Sequence, residues 1–128
     1  MQRGLLSHTC CCGHEVYRQH IVLLDADNVL LSVNPFSEET AHTTFVEGYI
    51  IITDVTFEHE CKDFVNELQQ TLTVQPHLTL THALRENSVY NRHCASTAKP
   101  CSVYSLQPIS WTTMRPTSID LLHIKKII

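Results

Sequence analysis

The chain has 128 residues, enough for one domain with its own hydrophobic core but too few for a separate catalytic barrel. Hydrophobic residues make up 43% and charged residues 17%, which excludes an intrinsically disordered chain. The net charge of -4 provides no long-range attraction to phosphate, so nucleic acid is not an expected partner. We therefore expect residues 1–128 to form a single domain.

The first residues do not have the pattern of an export signal. Arg3 precedes only two leucines, Leu5 and Leu6, before polar residues follow, whereas a signal sequence needs a longer apolar run. No segment approaches the roughly twenty apolar residues that span a bilayer. We therefore predict a cytoplasmic protein that does not bind membranes. In that reducing compartment its six cysteines are expected to be reduced thiols.

Strand patterns dominate the first fifty residues. Residues 5–9 and 16–25 are rich in β-forming side chains, and the Asp-Ala-Asp-Asn turn at 25–28 predicts a hairpin. Residues 35–43 begin with proline and are polar, so they are expected to cross over as a loop or a single helical turn. Four bulky residues in a row within 49–53 predict a strand that is covered on both faces.

The spacing of apolar residues changes to three and four after Thr56. The apolar positions are Phe57, Cys61, Phe64, Val65, Leu68 and Leu72. This spacing predicts an amphipathic helix over residues 57–72, with Thr56 as its N-cap and its apolar stripe on the sheet. A short second helix is predicted around 83–86, followed by a polar loop over 87–100.

Two further strands are predicted near the end of the sequence, at residues 102–106 and 119–128. Prolines break the path between them. Together the elements predict an α+β fold, consisting of a mainly antiparallel β-sheet or small β-sandwich with one principal amphipathic helix.

The order of these elements resembles the small β composite domain of amidohydrolase-superfamily proteins. The resemblance lies in residues 20–33, with the turn at 25–28, and in the Glu-Gly-Tyr-Ile-Ile run at 47–51. It implies that the N- and C-terminal segments meet in one β-sandwich. In that family a metal-dependent barrel is inserted between the two segments.

The continuation of the chain departs from that family. Family members enter the barrel with two metal-binding histidines one residue apart, whereas residues 53–59 contain only His59. About fifty residues separate Thr53 from the last strands, but a (β/α)₈ barrel needs roughly 250. The resemblance therefore implies a sandwich without the enzyme, and a degenerate metal-dependent hydrolase is the least supported reading.

One group of residues suggests a metal site. Cys10, Cys12 and His14 would share one face of a strand, and thiolates with imidazole are ligands that suit zinc. Structural zinc sites usually combine two closely spaced ligand pairs, and the cysteines and histidines at 93–101 do not form the second pair. A zinc-binding protein that uses these residues and a distant Cys or His is the alternative function.

No catalytic set can be assembled from the remaining residues. Cys61 lies on the apolar stripe of the predicted helix and His59 on a different face, so the histidine cannot activate the thiol. Asp25 and Asp27 are best explained as turn formers.

We therefore expect a non-catalytic accessory or protein-interaction domain. The expected partner is another protein or a second copy of the chain, bound at a sheet edge. Tyr90, Tyr104 and Trp111 are candidates for an aromatic contact surface, although core packing is the commoner use of such residues. The terminal Ile127 and Ile128 must either pair within the sheet or expose an apolar edge.

Overall fold

The computed structural model describes residues 3–13, 15–35, 43–54, 56–75, 77–92, 100–110, 113–117 and 122–128. The strands in these ranges are β1 (Arg3–Leu6), β2 (Thr9–Cys12), β3 (Glu15–Arg18), β4 (His20–Leu24), β5 (Leu30–Pro35), β6 (Thr43–Phe45), β7 (Tyr49–Thr53), β8 (Ser102–Gln107) and β9 (His123–Lys126). The helices are α1 (Glu58–Val74), α2 (Leu80–Glu86) and α3 (Ser88–Arg92). None of these helices is both long and apolar enough to cross a membrane.

The strands form two sheets, as the sequence predicts for a small α+β sandwich. The first sheet has the order β5-β4-β1-β6, and the second has the order β3-β2-β7-β8-β9. Five of the seven strand pairings are antiparallel, while β1 with β6 and β2 with β7 are parallel. The prediction of a mainly antiparallel sandwich with one principal helix is therefore confirmed.

One long bent hairpin runs through both sheets. Its first arm is β1 followed by β2, with the bend at Ser7 and His8, and its second arm is β3 followed by β4, with the bend at Gln19. Gln19 has a positive φ of 55°, and its backbone N–H donates to the His8 carbonyl at 3.0 Å. The bends lie side by side, so both arms leave one sheet and enter the other together.

The turn of the neighbouring hairpin forms as its residues predict. The Asp25 carboxylate accepts hydrogen bonds from the backbone N–H groups of Asp27 at 2.8 Å and Val29 at 3.0 Å. Asn28 takes the left-handed conformation, with a φ of 62°. These contacts connect β4 to β5 and explain why an aspartate stands at position 25.

Strand β7 lies at the centre of the molecule and is covered on both faces. Ile50 and Ile52 pack into the core between the two sheets, whereas Tyr49 and Ile51 pack into the core beneath the helices. All four side chains are fully buried. This two-sided burial is what the uninterrupted apolar run predicts, and it places the five-stranded sheet in the middle of three layers.

Helix α1 confirms the predicted amphipathic stripe but not its predicted start. Its buried side chains are Cys61, Phe64, Leu68 and Leu72. The helix begins at Glu58 after Phe57, whose extended backbone (φ -74°, ψ 133°) makes Phe57 the N-cap, and no side chain caps the helix. The predicted N-cap at Thr56 was therefore wrong by one position, because the chain stays extended through Phe57.

The short second helix is confirmed around residues 83–86 and begins earlier, at Leu80. The hydroxyl of Thr79 accepts a hydrogen bond from the His82 N–H at 3.3 Å and caps the first turn. A threonine that weakens a helix interior can therefore still start a helix.

Helix α3 lies in a segment that the sequence pattern assigns to a loop. The Asn87 side chain donates to the Phe64 carbonyl at 3.1 Å and accepts from the Tyr90 N–H at 3.0 Å. The Glu67 carboxylate accepts from the backbone N–H and the hydroxyl of Ser88. The Phe64 carbonyl and the Glu67 carboxylate both belong to α1, so contacts between residues distant in sequence stabilise α3.

The C-terminal segment pairs within the molecule. The Ile127 N–H donates to the Val103 carbonyl at 2.8 Å, and the Val103 N–H donates to the Ile128 carbonyl at 3.2 Å. Both isoleucines are half-buried against the core between the sheets. The predicted strand at 119–128 is observed as β9, and residues 118–121 lie outside the described part, as do residues 36–42 of the predicted crossover.

Candidate functional site

A cleft on the described surface lies between α1 and the edge formed by β8 and β9. Its volume is about 570 Å³, within the range of small-molecule sites. Cys61 and Tyr104 form its floor, Val65 and Ile124 lie on its walls, and Lys126 stands at its rim. The floor is buried and the rim is exposed, so the cleft opens to solvent on one side.

The elements that build this cleft follow from the local sequence pattern. Cys61 and Val65 are four residues apart, so they share one face of α1 and point towards the sheet. Tyr104 of β8 lies opposite Lys126 of β9 in the antiparallel register. Ile124 packs at the edge of the core beneath the helices, and it closes the far wall of the cleft.

Tyr104 carries the most unusual polar group of the cleft. Its side chain is fully buried, and its ring packs against Phe64 with the centroids 4.9 Å apart. The buried hydroxyl makes no hydrogen bond to any described residue. Burial, together with the neighbouring Cys61 thiol, raises the pKa of Tyr104 far above its usual range. The side chain therefore remains a neutral phenol, which can donate a hydrogen bond at physiological pH.

The charged groups stand at the rim of the cleft. Lys62 lies 3.6 Å from the Glu58 carboxylate, one turn earlier on α1, and both side chains are largely exposed. Lys126 adds a second positive charge from β9. Because Glu58 offsets only one of the two lysines, these three lining residues carry a net charge of about +1 at neutral pH.

Cys61 and His59, which are close in sequence, lie in different surroundings. The Cys61 thiol lies 4.0 Å from the Ser102 hydroxyl, at the limit of a weak sulfur hydrogen bond. His59 is exposed and stacks on Phe57, with the ring centroids 6.2 Å apart. Cys61 is thus a buried member of the apolar stripe, as its spacing predicts.

The residues of the predicted zinc site are placed as follows. Cys10 and Cys12 lie on the same face of β2, towards the core between the sheets, and β2 ends at Cys12. His14 lies outside the described residues. Burial raises the pKa of the Cys10 thiol, and the neighbouring Cys11 and Cys12 raise it further. The neutral thiol is therefore favoured at Cys10, whereas zinc would need the thiolate.

The distant cysteine that could complete such a site is also buried. The Cys101 thiol donates to the Asn28 carbonyl at 3.5 Å, and burial raises its pKa to about 11. Within the described ranges, no three His, Cys, Asp or Glu side chains come together in a way that could hold a metal ion. Zinc binding through Cys10, Cys12 and His14 stays a prediction.

The aromatic residues considered for a contact surface are placed in the core instead. Tyr90 and Tyr104 are both fully buried, and Trp111 lies outside the described residues. Their burial removes them as a partner-binding surface. The cleft itself could not be found from the sequence, because Cys61 and Tyr104 both have the pattern of ordinary core residues.

Comparison of the chain with protein-family models, with curated proteins and with solved structures finds no match.

Proposed function

We propose that this chain is a non-catalytic interaction domain, similar to the β composite domain of amidohydrolase-superfamily proteins, that pairs with a second copy of itself through strand β5. The proposed location is the cytoplasm, where its cysteines would stay reduced. The main support for the proposed pairing is that strand β5, an edge strand, contains no charged residue.

The topology supports the likeness to a composite domain. Strands from the N-terminal half and the C-terminal segment share the five-stranded sheet, with β7 beside β8. Thr53, the last residue of β7, lies opposite Ser102, the first residue of β8. The chain therefore leaves the sandwich and returns to it at one place, which is where an inserted barrel would be attached in that family. Here the intervening described residues form α1, α2 and α3.

The four edge strands differ in how well they are protected against another chain. Strand β3 carries Glu15 and Arg18, β9 carries Lys125 and Lys126, and β6 has only three residues. Charged and short edges discourage pairing. Strand β5 has six residues without a charge, with the sequence Leu-Leu-Ser-Val-Asn-Pro, and it is one of the two edges of the four-stranded sheet.

A second copy of the chain is the partner that best fits this edge. In a twofold symmetric dimer each β5 would lie antiparallel to its counterpart, so a charge near the middle of the strand would lie close to the same charge on the partner strand. An uncharged strand avoids that repulsion. Pairing would join two four-stranded sheets into one continuous sheet of eight strands.

Native mass spectrometry of untagged protein, with light scattering over a range of concentrations, tests this proposal. We expect a metal-free dimer for the unmodified chain. Ser32→Lys places a positive charge on β5, beside Val33 that faces the core, and should weaken dimerisation by about tenfold or more. Gln70→Lys, an equal charge change on the exposed face of α1, is the matched control and should leave the dimer intact.

A monomer at all concentrations would overturn the proposed self-pairing. A monomer that carries one stoichiometric zinc would favour the alternative, in which Cys10, Cys12 and His14 bind metal. Equal weakening by Ser32→Lys and Gln70→Lys would show that another surface forms the dimer.

A further inference from the structure

The cleft between α1 and β9 combines features that the pairing of β5 does not use. It is large enough for a small molecule, at about 570 Å³. Its walls are apolar at Val65 and Ile124, while its rim is positively charged. Apolar walls with a few placed polar groups are typical of ligand sites rather than of gaps between core elements.

The hydroxyl of Tyr104 gives the cleft a specific polar group. A buried hydroxyl that lacks a hydrogen bond is costly, and folded proteins rarely keep one without a reason. Tyr104 is fully buried and lines the cleft, and among the described residues its hydroxyl has only a weak interaction with the neighbouring Cys61 thiol. A ligand that displaces the Cys61 thiol from this covered hydroxyl would supply a stronger acceptor for it.

The charge at the rim determines which kind of acceptor fits. Lys62 is paired with Glu58 at 3.6 Å. Lys126 supplies the positive charge that this pair does not neutralise. A carboxylate is an acceptor and an anion at once, so it would suit both the phenol and the lysine.

We infer that the cleft lined by Cys61, Val65, Tyr104, Ile124 and Lys126 binds a small organic carboxylate with an apolar body. The apolar body lies between Val65 and Ile124. The ligand's acceptor takes the place of Cys61 as the polar neighbour of the Tyr104 hydroxyl, and Lys126 attracts the negative charge. Binding of such a molecule does not depend on pairing at β5.

Titration of the full-length, isotope-labelled chain followed by NMR tests this inference. The probes are 3-phenylpropionate and its neutral amide, 3-phenylpropionamide, which differ in charge but little in shape. We expect saturable shifts at the amide signals of Cys61, Val65 and Ile124, with a dissociation constant in the range of about 1–10 mM for a fragment of this size. The acid should bind about threefold more tightly than the amide.

Three variants separate the contributions of the polar groups. Tyr104→Phe should weaken binding of both probes by about fivefold, since each probe has an acceptor oxygen for the lost hydroxyl. Lys126→Gln should abolish the preference for the acid. Lys125→Gln is the matched control, because Lys125 is the exposed neighbour on β9 that does not line the cleft, and it should leave the preference unchanged.

The inference is overturned if neither probe causes saturable shifts, or if the shifts map to residues outside the cleft. It is also overturned if Lys125→Gln and Lys126→Gln have equal effects, or if Tyr104→Phe binds as tightly as the unmodified chain. Loss of folding cannot mimic the expected result, because the thermal stability of Tyr104→Phe is measured in parallel and should not fall.

Discussion

Replacing Tyr104 with phenylalanine should make the free protein more stable. The substitution removes a fully buried hydroxyl that makes no hydrogen bond to any described residue. The ring remains, and with it the contact to Phe64 at a centroid distance of 4.9 Å. The change therefore isolates the energetic cost of the hydroxyl from the packing of the aromatic ring.

The magnitude follows from the cost of an unsatisfied buried polar group, which is about 1–3 kcal/mol. Part of that gain is lost, because the oxygen's dispersion contacts and its weak interaction with the neighbouring Cys61 thiol disappear as well. We expect a net increase of about 1 kcal/mol in the free energy of unfolding. For a chain of 128 residues, this corresponds to a rise of roughly 4 °C in melting temperature.

Tyr49 provides the matched control. It is also fully buried, but its hydroxyl donates to the Ser110 carbonyl at 2.8 Å. Tyr49→Phe removes a hydrogen bond that is made, and it leaves the carbonyl without this donor. We expect a loss of about 1 kcal/mol, so the two chemically identical substitutions should have effects of opposite sign.

Urea denaturation followed by circular dichroism, together with thermal scans, measures both effects. The slope of the free energy with urea concentration should be the same for all three proteins, which would show that only stability has changed. Equal destabilisation by Tyr104→Phe and Tyr49→Phe would refute the reasoning, because it would mean that the Tyr104 hydroxyl is satisfied in the folded protein.

Two further expectations concern glycine geometry and thiol ionisation. Gly48→Ala should lower the free energy of unfolding by about 3 kcal/mol or more in urea denaturation, because φ is +89° and the new Cβ would lie 2.5 Å from the Leu106 carbonyl oxygen. Gly13→Ala, where φ is +62° and no atom lies within 4 Å of the Cβ, should cost only about 1 kcal/mol, and equal losses would contradict this steric argument. Burial raises the pKa of Cys11 to about 12 and that of Cys101 to about 11, so folding favours the protonated thiols. Their contribution to stability is complete below about pH 9 and is lost as the pH rises through these folded-state values, with a slope of up to ~1.4 kcal/mol per pH unit for each thiol. Cys101→Ala should reduce that slope in urea titrations above about pH 9, and an unchanged slope would exclude Cys101 as a contributor.

The elements that the sequence predicts well are those whose pattern is local. The spacing of apolar residues in α1 and the uninterrupted apolar run of β7 each indicate which faces are buried. The turn after Leu24 contains Asp25, whose carboxylate accepts hydrogen bonds from nearby backbone N–H groups. The sequence pattern does not predict helix α3, because the groups that anchor it, the Phe64 carbonyl and the Glu67 carboxylate of α1, are more than twenty residues away in sequence.

The bends and the cleft were beyond sequence reasoning for a different reason. The strand patterns at residues 5–9 and 16–25 do not show that each contains a bend and contributes to both sheets, because the split depends on tertiary contacts such as the one between Gln19 and His8. The cleft could not be predicted because its floor residues, Cys61 and Tyr104, have the pattern of ordinary core residues.

The bent hairpin also determines how the molecule can unfold. Because β1 continues into β2 and β3 into β4, the same two stretches of chain supply strands to both sheets. Peeling β1 away from β4 pulls on the bends that hold β2 and β3, so neither sheet can open without straining the other. We expect the backbone amides of both sheets to exchange with solvent through one shared opening event, as a single cooperative unit.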